Sequence, residues 1–309
     1  YDKLTQLDFI IIAIYLIVLL TIGYVVSFKQ NKKDETLFLA NNSLNWYNIG
    51  FNMWGTNVGP SSLLAFASIG YATGVVAGNF EWYAFVFLLL LAMVFAPKYI
   101  VAKVATMPEY MGQRYGDSTQ KILAWYALIK ILVSWLSLGL FSGGVLVRQI
   151  LGIPMWQSVI VLVAFSGIFT FAGGLKAIAK VNVFQMILLI IVSLSLSYLG
   201  VQKVGGLSAL FHKVPADYWN LIKPASDKNY PWPAMLLGYP VAAVAFFCTD
   251  QAMVQSVLGA KNLEQGQLGV NFIGWLKVLA LPMFILPGII CFVLYPELGS
   301  NSDLAYMTM

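Results

Sequence analysis

The stretch from Leu44 to Gly74 is apolar enough to enter a bilayer, yet its middle, Gly55 to Ser62, reads GTNVGPSS. Two glycines loosen the backbone there, and Pro60 removes a donor and crowds the turn before it. No water pairs with freed amides and carbonyls in hydrocarbon, so irregular backbone survives at that depth only against protein or beside a polar cavity. Carbonyls freed around residues 55–58, with hydroxyls beside them, can replace the hydration shell of a small hard cation. The same residues also fit a simple proline kink packed against its neighbours.

The rest of the chain has the same solvent. Of 309 residues, 60% are hydrophobic and only 10% charged, and the mean hydropathy is +0.78; a soluble domain carries more charge than that. The sequence predicts an all-α polytopic membrane protein with eight spans, near 9–27, 44–74, 79–101, 120–150, 154–173, 176–201, 232–258 and 265–295. No small-residue cleavage site follows the first run, which reads as a retained span. Lys29, Lys32 and Lys33, then Lys98, Lys103, Arg114 and Lys121, then Lys176, Lys180 and Lys261 fall in connections on one side. That side is expected to be cytoplasmic, with the N-terminus outside and the protein in a bacterial inner membrane or a plasma membrane. The longest connection, Gln202 to Pro231, lands outside despite four lysines; its Tyr218, Trp219 and Tyr230, with Trp232 beyond, suit an interfacial cap. The net charge of +5 reads as this bias, and no basic run interleaved with aromatics suggests nucleic acid. Cys248 and Cys291 lie in apolar segments as free buried thiols, and His212, the one histidine, sits in a polar loop. No HExxH, nucleophile elbow or aspartate-rich metal motif is present, so an enzyme is not expected.

A second span is interrupted. In MLLGYPVAAVAFFCTDQAMVQSVLGAKN, Gly238 and Pro240 lie toward the outer end, and Cys248, Thr249, Asp250 and Gln251 form a polar cluster further in. Two interrupted spans five elements apart point to a transporter of inverted repeats with its site between them. Charge at membrane depth is the other pointer. Glu81 opens span three, either as a carboxylate at a helix N-terminus or as an acceptor for solute hydroxyls beside Trp82. Lys277 lies more than three turns from either end of span eight, either gripping solute or ion-paired with Asp250 or Glu81. Lys130 suits snorkelling or a structural pair, and Asp250 suits a cap on the restarting helix as well as ligand contact.

Over nearly its whole length the chain resembles the sodium–solute symporter family, sodium/glucose cotransporter-like branch. The blocks that carry this are NVG at Asn57–Gly59, FEW at Phe80–Trp82, TMPEY at Thr106–Tyr110, GGL at Gly173–Leu175, PWP at Pro231–Pro233 and CTDQAMVQ at Cys248–Gln255 with AKN after it. LK, PMF and LPG follow in span eight. The resemblance implies an extra N-terminal helix with linker (1–43), a first five-helix repeat (44–201), an extracytoplasmic loop (202–231) and the start of a second inverted repeat (232–309), so that the five-plus-five core stops after its seventh helix and residues 1–309 alone are not expected to transport. It implies sodium coupling and alternating access, with sodium on the carbonyls of Gly55 and Val58. It also implies solute contacts from Glu81 and Lys277, a position at Ser62 where relatives often carry Gln or His, and an aromatic gate at Phe246 with Phe247 beside it. Trp82 accompanies these, and Asn57, Asp250, Gln251 and Asn182 are coupling or structural candidates. The sequence departs from the family at Ala84, Ala243 and Phe246, where fewer polar groups face solute, at Asn182, where an aspartate is usual, and at Ser256, where an arginine is usual. The expected function is a sodium-coupled symporter importing a small polar solute, a sugar or polyol. A proton-coupled carrier using Glu81 or Asp250, and a transporter-like sensor domain, are the rival readings.

Overall fold

The computed structural model describes residues 5–28, 38–299 and 301–309; Lys29, Lys32 and Lys33 lie outside them. Among the described residues the structure is helical, without a β-strand beyond two isolated bridges.

Helix α1 (Gln6–Phe28) precedes a broken span made of α2 (Trp46–Asn57) and α3 (Pro60–Thr73). The chain reverses at Gly74, where φ is 82° and a Cβ would lie 2.1 Å from the Tyr218 carbonyl oxygen. Only glycine fits both the angle and the approach. Helix α4 (Gly78–Leu90) continues through a π-helical turn, Leu91–Phe95, into Ala96–Ala102. A short helix, α5 (Met107–Tyr115), is capped by Thr106, whose hydroxyl accepts from the Glu109 N–H at 3.3 Å, while the Glu109 carboxylate accepts from the Ala105 N–H at 2.7 Å. Helix α6 (Asp117–Leu151) leads to α7 (Met155–Val204), which Gly174 (φ 57°, ψ −164°) folds into two arms. Residues 165–170 of one arm and 178–185 of the other face one small cavity with Leu19 of α1. The long connection after α7 carries α8 (Leu207–Lys213). The second broken span is α9 (Ala234–Thr249) and α10 (Gln251–Leu258). Helix α11 (Leu263–Leu294) is unbroken, and α12 (Ala305–Thr308) folds back on α3.

The two broken spans run in opposite directions. The start of α2 meets the end of α10, where the Leu44 N–H donates to the Gly259 carbonyl (3.1 Å) and the Lys261 N–H to the Leu44 carbonyl (3.0 Å). Helix α11 runs parallel to α2–α3, with Gly269 on Ile49 and Gly288 on Ala67, and antiparallel to α4, with Gly274 on Phe85 and Gly266 on Ile100. The core follows from this: Met53, Trp54, Leu88, Leu91, Val254, Ile273 and Phe284 are fully buried where these helices meet.

The span pattern agrees with the sequence reading and adds three local details. Five helical stretches are long and apolar enough to cross a membrane, or six if the bent pair α9–α10 is one span. The first arm of α7, Met155–Phe171, is shorter than that, the break leaves α2 too short to cross alone, and α3 runs on with α4 in one apolar stretch, Pro60–Ala102. Second, the first break takes a specific form that frees the carbonyls where they were expected: α2 stays helical through Gly55 to Asn57, Val58 and Gly59 are extended, and Pro60 opens α3 as its first residue. Third, the second break falls at Asp250 (φ −69°, ψ 130°), where a cap on the restarting helix was expected, while Gly238–Pro240 does not interrupt the span. Pro240 is accommodated by a π-helical turn, Ala234–Gly238, as Pro97 is by Leu91–Phe95 and Pro287 by Leu281–Ile285. Widening one turn relieves the clash between a proline ring and the carbonyl one turn back without cutting the span.

Candidate functional site

The first break opens beside a buried ion pair. Thr56 has lost its usual donor four residues on, because Pro60 has no N–H, and the extended Val58 and Gly59 leave the Gly55 carbonyl without a hydrogen bond among the described residues. The Val58 N–H still closes α2 on the Trp54 carbonyl at 2.8 Å. Ser62 donates its hydroxyl to the Asn57 carbonyl at 3.1 Å, so this expected solute residue braces the break.

Asn57 turns its side chain the other way. The Lys277 ammonium donates to Asn57 Oδ1 at 2.5 Å and to Glu81 Oε2 at 2.7 Å, and it stands 5.1 Å from the centre of the Phe247 ring. Three helices, α2, α4 and α11, and the aromatic wall of α9 thus converge on one cation. Lys277 has no exposed surface and Glu81 very little, so each charge depends on the other for its solvation. Phe247 is buried against the same cluster. Phe246 meets it edge-on at 4.7 Å and stacks on Trp135 of α6 at 5.3 Å. Trp82 does not join them. It is 37% exposed, because the next residue on a helix points about 100° away from Glu81.

Ala84 and Ala243 are buried in the same core as Phe247. Tyr239 ties α9 to the start of α4 by donating to the Phe80 carbonyl at 2.6 Å.

Asn182 sits on the opposite face of the break. A Cβ on Gly55 would meet its side chain at 3.0 Å, so the glycine allows that approach. Asn182 Nδ2 donates to Asn52 Oδ1 (2.6 Å), and Asn52 Nδ2 donates to Ser256 Oγ (2.6 Å). This neutral chain ties α2, α7 and α10 together in the interior. Asn52 was missed in the sequence, although Asn48 and Asn52, one turn apart in an apolar run, are a polar stripe that marks it.

The polar cluster of the second break is structural in its contacts. Asp250 caps α10, accepting from the Ala252 N–H at 2.9 Å, and its other oxygen pairs with Lys130 of α6. Gln251 accepts from the Met107 N–H at 2.6 Å and donates to Gln255. Neither reaches the Lys277 cluster by a hydrogen bond among the described residues. Cys248 and Cys291 are free and buried as expected. No group of three metal-ligating side chains occurs among the described residues.

The chain is similar to known transporters over most of its length. The model of the sodium:solute symporter family matches residues 37–301. Sodium/glucose cotransporter 1 of Ovis aries is 30% identical, with 94% of this chain and 47% of that protein aligned. Sodium/glucose cotransporter 4 of Mus musculus is 32% identical (94% and 45%), and the sodium/myo-inositol cotransporter of Homo sapiens 31% (94% and 44%). The chain therefore spans about half the length of the curated relatives it matches. A Na+-coupled sialic acid symporter, solved in a substrate-bound outward-open state, superposes with a TM-score of 0.87 over 98% of this chain and 66% of that one, at 17% identity, and so shares its fold. These relatives are named as transporters and not as enzymes. A polytopic all-α chain with two oppositely directed broken spans, matched by one family model along most of its length, belongs to the sodium:solute symporter family.

Proposed function

We propose that the protein is part of a sodium-coupled symporter that imports a small polar solute, a sugar or polyol, by alternating access. The observation that carries this reading is the Lys277–Glu81–Asn57 cluster seated at the mouth of the broken span. Neighbouring hydroxyls of a polyol suit such a seat: one accepts from the ammonium while the next donates to the carboxylate, and both bonds are charge-assisted. Phe247 and Phe246 offer ring faces to the carbon skeleton. The names of the sugar and inositol cotransporters among the relatives support the same solute class.

Sodium, as co-transported substrate, would take the unpaired carbonyls of Gly55 and Val58 on the other face of the break. Ion and solute then share one irregular segment, residues 57–59, so occupying one side biases the geometry of the other. Such coupling shifts an equilibrium only by the difference in affinity between states. Residues 44–201 are assigned to the first repeat, 202–231 to an extracytoplasmic loop and 232–309 to the opening of the second, with the N-terminus outside and the protein in the cell membrane.

Solute uptake by the full-length protein, in sodium buffer and in sodium-free buffer at several pH values, tests the reading. Uptake of a sugar or polyol that requires sodium at every pH is expected. Uptake driven by a pH gradient without sodium would overturn the coupling assignment, and sodium-driven uptake confined to solutes without hydroxyl pairs would overturn the solute class.

A further inference from the structure

The second break treats its carbonyls differently from the first. In a continuous helix the Cys248 carbonyl would accept from the Ala252 N–H. Here Asp250 is extended, and the Ala252 N–H goes to the Asp250 carboxylate at 2.9 Å. The orphaned Cys248 carbonyl is filled from another helix: the Tyr99 hydroxyl, on the continuation of α4, donates to it at 2.8 Å. The Ala245 carbonyl nearby accepts from the Thr249 hydroxyl at 2.8 Å. The Gly55 carbonyl at the first break has no such donor among the described residues. Cys248 has no exposed surface and Tyr99 almost none, so the bond between them does not depend on what covers the outside of the chain.

Two of the sequence blocks, TMPEY and CTDQAMVQ, meet at this joint. Tyr110 of the first meets the Tyr99 ring edge-on at 5.0 Å, and the Met107 N–H donates to Gln251 of the second at 2.6 Å. Gln251 donates in turn to Gln255, which donates to the Phe38 carbonyl at 2.7 Å. The joint is thus held on both sides of Asp250, at Cys248 by Tyr99 and at Gln251 by the start of α5. The Cys248 thiol adds a weak bond to the Phe87 carbonyl of α4 at 3.4 Å. Helix α4 therefore carries Glu81 near its start and fixes Cys248 further along. Cys248 is the neighbour of Phe247, whose ring faces the Lys277 ammonium held by Glu81.

We propose that Tyr99 is a positioning residue for the solute seat: its hydroxyl locks the bend between α9 and α10, and through it the place of Phe247 opposite Lys277. Tyr99 lies roughly 27 Å along the helix axis from Glu81, at about 1.5 Å per residue, too far to touch a solute seated there. Without the hydroxyl, a buried carbonyl loses its partner and turns toward another, and Phe247 moves with it. The positioning role rests on the solute seat proposed above; the lock on the joint does not.

Hydrogen exchange of the full-length protein without solute reads the lock. Tyr99→Phe keeps the ring and removes only the hydroxyl. Amides of residues 248–254 are expected to exchange about tenfold faster, as one unpaired buried carbonyl implies. Those of residues 46–54 and 269–276, where α2 meets α11, are expected to keep their rates. Unchanged exchange at residues 248–254 would overturn the lock, and an equal rise in both regions would overturn it too, as the mark of a general packing role. Gln251→Met leaves Tyr99 in place and tests the other side of the joint: the Met107 amide, deprived of its acceptor, is expected to exchange faster together with residues 251–255, and no change there would overturn that hold. Titration of the same samples with a sugar or polyol in sodium buffer reads the positioning. Affinity in Tyr99→Phe is expected to fall about fivefold, the size of one ring contact to a cation, with the sodium requirement kept. Normal affinity beside a loosened joint would overturn the positioning role. An unmodified protein that binds no sugar or polyol would overturn the proposed solute and the positioning role together, a result distinct from normal affinity in the variant.

Discussion

Lys277 and Glu81, 196 positions apart in sequence, hold each other at 2.7 Å with the ammonium wholly out of solvent. A solute that binds here inserts into an existing pair and does not meet idle charges. Under the proposed function the pair is both a structural element and a recognition element, and the two roles separate by experiment. Glu81→Gln or Lys277→Ala leaves one buried charge unpaired, which costs about 3–5 kcal/mol. Glu81→Gln/Lys277→Met removes both charges and is expected to recover most of the thermal stability. Solute affinity should stay at least about tenfold weaker in all three, since a hydrogen bond to a charged group contributes about 1.5–3 kcal/mol. Thermal melts read alongside solute titration would refute the recognition role if the double variant binds normally.

On the proposed sodium coupling, Asn182 bears on the ion count. A neutral amide beside Gly55 still offers an oxygen but brings no negative charge, and its partners Asn52 and Ser256 are neutral as well. One coupled sodium per cycle is expected, with a Hill slope near ~1. Paired tracer fluxes giving two sodium ions per solute would contradict this.

Asp250 combines two bonds that conservative variants divide. Asp250→Asn keeps an oxygen for the Ala252 N–H but loses the charge that meets Lys130, whereas Asp250→Ala loses both. Because Lys130 is 35% exposed, its pairing contributes little, and the helix cap should dominate. Melting temperatures should fall clearly for Asp250→Ala, by an amount equivalent to about 1 kcal/mol, and less for Asp250→Asn or Lys130→Met. Equal losses in all three would show that the ion pair dominates instead.

Gly74→Ala should be among the most damaging small substitutions. It places a Cβ against the Tyr218 backbone and demands a positive φ, and nothing flexible there can give way. Fluorescence-detected size-exclusion chromatography should show aggregation, while Gly139→Ala on α6, with open space around it, should elute as the unmodified protein does.

The loop between α8 and α9 has its own pH response. Backbone N–H groups of Tyr230 and then Asn229 hold the Asp227 carboxyl below the ordinary carboxylate range. A depressed carboxylate contributes its ordering fully above the unfolded value, near ~3.9, and loses it as pH falls through the folded value. Hydrogen exchange at residues 229–230 should therefore be protected at neutral pH, lose protection below about pH 4, and be unprotected throughout in Asp227→Ala. An acid-independent profile in the unmodified protein would refute it.

The sequence by itself determined where the chain crosses the membrane, where its helices fail and which charges lie too deep to be casual. These are local effects: apolar length sets a span, a missing N–H and flexible glycines set a break, and an aspartate before a helix sets a cap, as Asp250 does. Packing decided the rest. Whether Lys277 met Glu81 or Asp250 depended on which face of α11 turned toward α4, and both partners were chemically suitable. Only the helix register put Trp82 on the outside while its neighbour Glu81 went inside. The extended form of Val58 and Gly59 within the expected break, and the absorption of Pro240 by a widened turn, appear only in the folded structure. The chain Asn182–Asn52–Ser256 joins three helices through bonds between residues more than a hundred positions apart, and no local pattern encodes a distance of that kind.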